Sequence, residues 1–70
     1  MTYVLTNEEK TAIIEQHLRT LEYSKYNTTI SLMEENAVSS PSTSTLSTLN
    51  EQLTTVNAKI SALTTELDSL

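Results

Sequence analysis

The stretch LSTLNEQLTTVNAKISALTTELDSL, residues 46–70, decides the fold. Within it Leu46, Leu49, Leu53, Val56, Ile60, Leu63, Leu67 and Leu70 are spaced 3-4-3-4-3-4-3. Two apolar positions in every seven keep one seam facing a partner, so this is a helix made to lie against other helices. Several intervening residues, among them Thr54, Thr55, Asn57, Thr64 and Thr65, are poor helix formers. A helix of that composition is held by packing rather than by propensity. With Leu46 taken as position a, the flanking positions are Thr45, Gln52, Lys59 and Glu66 on one side and Asn50, Asn57 and Thr64 on the other. Charge pairing there is sparse, so the choice of partner is weakly encoded.

Working towards the N-terminus, residues 39–48 read SSPSTSTLST, with eight serines or threonines in ten. Such a stretch can be a flexible linker. It can equally open a helix, with Ser40 as N-cap and Pro41 at the first helical position, where a missing N–H costs nothing. Thr48-Leu49-Asn50-Glu51 offers a later capping box. The residue before a proline avoids the α region, so an earlier helix must stop by Ser39.

That earlier helix begins at Thr6-Asn7-Glu8-Glu9, after an apolar lead containing Tyr3 and Val4. Threonine three residues before glutamate is the capping-box pattern, and Glu8 and Glu9 suit the positive end of the helix dipole. The pairs Glu15–Arg19 and Glu22–Lys25 have helical spacing and are worth a few tenths of a kcal/mol each. The apolar pattern is less regular than in the second helix. Ile14, Leu18 and Leu21 follow one register, broadened by Ile13, whereas Tyr23, Tyr26, Ile30, Met33 and Ala37 follow another displaced by two positions. Either the helix bends around Asn27-Thr28-Thr29, or its two halves meet different neighbours. The second option assigns Tyr26, Ile30 and Met33 to the chain's own seam, with Leu46, Leu49, Leu53, Val56, Ile60, Leu63 and Leu67. It leaves Ile13, Ile14, Leu18 and Leu21 for a partner.

Together these signals predict a single all-α domain. A helix at about residues 7–37, a turn at about 38–42 and a helix at about 43–70 form an antiparallel, coiled-coil-like hairpin. A lone hairpin buries only one side of each helix. A chain of 70 residues with no cysteine has no disulfide to supplement that core, and no metal-ligand pattern is present. Two hairpins forming a four-helix bundle supply what is missing, so a homodimer or higher homo-oligomer is expected.

Composition removes several functions. No glycine occurs, which excludes glycine-dependent phosphate loops and dinucleotide fingerprints. A net charge of −5 disfavours nucleic acid and anionic membranes. No stretch has the apolar length of a transmembrane helix. His17, the one histidine, has no carboxylate at helical spacing and reads as a partly buried, hydrogen-bonded side chain rather than a catalyst or ligand. Neither a cofactor, a metal nor an enzymatic activity is expected. Glu34-Glu35 forms an acidic tip beside the start of the second helix, where that helix's dipole compensates it. Tyr23 and Tyr26 read as core tyrosines with their hydroxyls at the margin.

The Ser/Thr/Asn-rich heptads, the absence of glycine and cysteine, and the MTYVLTNEEK start resemble the small uncharacterised helical proteins of marine tailed phages. That resemblance implies a structural or assembly component, in the host cytoplasm or the virion. The competing expectation is an adaptor or inhibitor that lays a helical face on a host protein.

Overall fold

The computed structural model describes residues 4–70. Tyr3, part of the apolar lead, lies outside them. Two helices follow one another, α1 (Asn7–Asn36) and α2 (Thr43–Asp68). They pack on each other as an antiparallel hairpin 59 Å long and only 14 Å thick.

The start of α1 is fixed by its sequence. Thr6 is the N-cap, its Oγ1 accepts from the Glu9 N–H at 3.1 Å, and Glu9 Oε1 accepts from the Thr6 N–H at 3.0 Å. Both partners of the capping box therefore satisfy amides that the first helical turn leaves open. The helix then continues unbroken past Asn27-Thr28-Thr29. Thr28 and Thr29 donate their hydroxyls to the carbonyls of Ser24 and Lys25 at 3.1 and 2.9 Å. The Glu15–Arg19 and Glu22–Lys25 pairs are not closed as ion pairs.

Residues 37–42 make the turn, and no residue in the described chain adopts a positive φ. The N-cap of α2 is Ser42, not Ser40, and Thr48 lies inside the helix. Glu35 explains the position. Its carboxylate reaches across the turn and accepts from the Ser42 N–H at 2.7 Å, while Ser42 Oγ accepts from the Thr45 N–H at 3.2 Å. One α1 carboxylate thus neutralises the positive end of α2 and fixes where that helix begins. At the opposite end Asn7 Nδ2 donates to the Leu70 carbonyl at 3.3 Å. These two contacts, seven to seventy and thirty-five to forty-two, set one register along the hairpin.

The seven stripe residues of α2 and Leu70 beyond its end are buried or half-buried, and every other residue of that helix is exposed. Val56 on α2 at 7% and Ile14 on α1 at 8%, at different levels of the seam, are the most enclosed side chains of the hairpin. The α1 side of the seam corrects the expected assignment. Ile14, Leu18 and Leu21, expected to face a partner, are buried or half-buried, and Leu21 lines the same groove as Leu63. The register continues without a shift through Lys25, Thr28 and Leu32 to Glu35, all half-buried. Tyr26 and Met33, expected in the seam, are 60% and 61% exposed, and Ile30 sits at the exposed margin.

The physical reason is the rigidity of the helix. Moving the apolar face by two positions rotates it by roughly 200° at 100° per residue. An α-helix without glycine or an internal proline has no device for such a turn. Ile14, Leu18 and Leu21 lie along the Val56–Leu63 stretch of α2 and carry the register onward. On that register Lys25 and Thr28 come opposite the Leu49–Leu53 stretch of α2. Lys25 can cover part of it with its aliphatic stem.

Candidate interaction surface

The register leaves α1 with a second face. Tyr23, Tyr26, Ile30 and Met33 recur at spacings of 3, 4 and 3, so they share one side of the helix. That side lies roughly 140° from the seam at 100° per residue. Tyr23, at 74% exposure, is the most exposed of the four. Arg19 extends the line one turn towards the N-terminus. Arg19, Glu22, Tyr23, Tyr26, Asn27 and Ile30 line a shallow, open depression on this face. Its chemistry is two aromatic rings and one aliphatic side chain, edged by the Arg19 guanidinium, the Glu22 carboxylate and the Asn27 amide.

Ile13, the remaining residue expected at a partner interface, is 44% exposed and lies beside the seam rather than in the outer line. The sequence pattern did contain the outer line. Reading it as seam rested on assigning apolar residues to the interior, and the polar Lys25 and Thr28 concealed the true path of the core.

His17 differs from expectation in being exposed. It stands at the rim of the inter-helix groove with Gln16, Thr20, Leu21, Lys59, Ala62 and Leu63. Neither the groove nor His17 brings a carboxylate and an imidazole together for proton transfer. Among the described residues no group of three His, Cys, Asp or Glu side chains is placed to hold a metal ion. Among the described residues no helix is long and apolar enough to cross a membrane. Glu34 is exposed at the tip, whereas Glu35 is committed to the α2 cap.

No family model, no curated protein and no solved structure matches the chain.

Proposed function

We propose that this chain is a non-enzymatic, self-associating helical module, in which two hairpins join through the outer face of α1 into a four-helix assembly. The observation that supports it is the outer stripe itself. Tyr23, Tyr26 and Met33 each leave 60% or more of their surface in water, on a face where Ile30 completes an apolar line. Contiguous apolar surface of this kind marks interfaces, and tyrosines contribute large contact area at small entropic cost. The thin hairpin adds a second reason. Among the described residues only Ile14 and Val56 are buried, so a further layer has much to offer.

The role that follows is structural: a small part that builds a larger assembly. Its resemblance to small helical phage proteins favours a place in particle assembly, in the host cytoplasm or the virion. Sedimentation velocity from micromolar to millimolar concentration tests the association. Wild type is expected to shift towards twice the 7.8 kDa chain mass, and Tyr26→Glu to remain a folded monomer. A wild-type chain that stays monomeric throughout overturns the proposal and leaves the stripe to a different protein.

A further inference from the structure

The outer stripe has a symmetry that goes beyond association and fixes its geometry. Its positions are Arg19, Tyr23, Tyr26, Ile30, Met33 and Ala37. The spacings 4-3-4-3-4 read the same in both directions about position 28. In an antiparallel helix pair the layers form between an a position of one chain and a d position of the other. A two-fold axis crossing the outer face midway between Tyr26 and Ile30 therefore places Tyr26 against the partner's Ile30, Tyr23 against the partner's Met33 and Arg19 beside the partner's Ala37. Every large apolar residue of the stripe meets another.

Charge chooses between this arrangement and a parallel one. Glu34 lies one turn before Ala37 and is exposed. The antiparallel pair brings each Arg19 to the partner's Glu34, twice over. A parallel, in-register pair sets Arg19 against the partner's Arg19 and brings both acidic tips to the same end. For chains of net charge −5, that is the costlier choice.

The area is sufficient for a modest dimer. At about 200 Å² for a whole aromatic side chain, the two tyrosines at 74% and 60% exposure offer about 270 Å² per copy. Adding Ile30 and Met33 brings the pair of copies to roughly 900 Å², and the polar rim raises the total towards the lower bound of about 1,200 Å² for a specific interface.

Resting on the self-association reading, we propose that two copies of this chain pair antiparallel through the outer face of α1, with the Arg19–Glu34 contact selecting the orientation. The two-fold lies closer to the tip than the middle of α1 does, so the hairpins are staggered. The seam and the stripe face away from each other, so the two α1 helices lie between the two α2 helices in a flat layer, rather than around a closed square.

Engineered cysteines test the orientation, since the chain has none of its own. Tyr23→Cys and Met33→Cys chains, mixed and mildly oxidised, are expected to give the mixed disulfide dimer. Tyr23→Cys alone is expected to give none. Its two copies would lie about 15 Å apart along the axis at 1.5 Å per residue, beyond the roughly 7 Å that a disulfide can span. Small-angle scattering provides a second reading. The stagger adds about 20 Å at 1.5 Å per residue to the 59 Å hairpin, whereas a parallel pair keeps the hairpin length. Arg19→Glu is expected to raise the dimer dissociation constant about tenfold, at about 1.4 kcal/mol for two lost pairs and two new repulsions. Arg19→Glu with Glu34→Arg is expected to restore it. A dimer that forms the Tyr23→Cys homodisulfide and keeps the hairpin length overturns the orientation alone. A monomer by sedimentation overturns the association and this proposal with it.

Discussion

Lys25→Leu with Thr28→Leu is the perturbation that most sharply separates the observed register from its rival. Both residues occupy seam positions, half-buried, opposite the Leu49–Leu53 stretch of α2. Full burial of a leucine contributes about 1.5–3 kcal/mol. The seam is only partly closed, and the lysine stem already covers some of it, so about 1 kcal/mol per site is the expected gain. Thr28 also gives up a hydroxyl bond to the Ser24 carbonyl, an alternative that weakens helices slightly, and leucine is the better helix former. The two changes together should stabilise the hairpin by about 2 kcal/mol. For a domain of this size that raises the melting temperature by about 8–16 °C. Circular dichroism melts at one low concentration measure it without a contribution from association. Asn27→Leu, on the exposed face, is the control and should move stability by no more than about 0.5 kcal/mol. If the double variant also stays within that limit, Lys25 and Thr28 are not in the seam and the register is wrong.

Three further outcomes follow from individual contacts. Glu35→Ala should lower stability by about 1 kcal/mol, because the Ser42 N–H loses a charged acceptor at 2.7 Å; Glu35→Gln, which keeps an acceptor without the charge, should recover part of it in urea denaturation. Val56→Ala removes two enclosed methyl groups at about 0.8 kcal/mol each and should cost roughly 1.5–2 kcal/mol, whereas Asn57→Ala, on the exposed side, should cost nothing measurable by the same assay. The last turn of α2 carries Glu66 and Asp68 and no basic residue, so Asp68→Lys should stabilise by about 0.3–1 kcal/mol, with the gain shrinking in high salt during thermal melts.

The two helices differ in how plainly they can be read. Along α2 and on to Leu70 all eight apolar stripe positions carry Leu, Val or Ile, so pattern and packing coincide, and the seam follows directly from the spacing. The Thr6–Glu9 capping box likewise states its own geometry. In α1 two stripes compete, and hydrophobicity alone ranks them wrongly. Tyr26, Ile30 and Met33 look more like core than Lys25 and Thr28 do. What decides is the inability of a continuous helix to rotate its face by two positions between Leu21 and Tyr23. Leu32, three turns on from Leu21, is the residue that could have shown the register carrying through. The start of α2 depended on the Glu35 carboxylate bonding across the turn, a tertiary contact that local capping rules for Ser40 and Pro41 do not contain.

The central claim is that α1 works with two faces, one spent within the hairpin and one on a second copy. Isotope-filtered nuclear Overhauser spectroscopy, on a mixture of labelled and unlabelled chains at millimolar concentration, tests it most directly. Intermolecular cross-peaks between the Tyr26 ring and the Ile30 methyls are expected, with none at Ile14 or Leu18. Intermolecular cross-peaks at Ile14 and Leu18, with none at Tyr26, would contradict it.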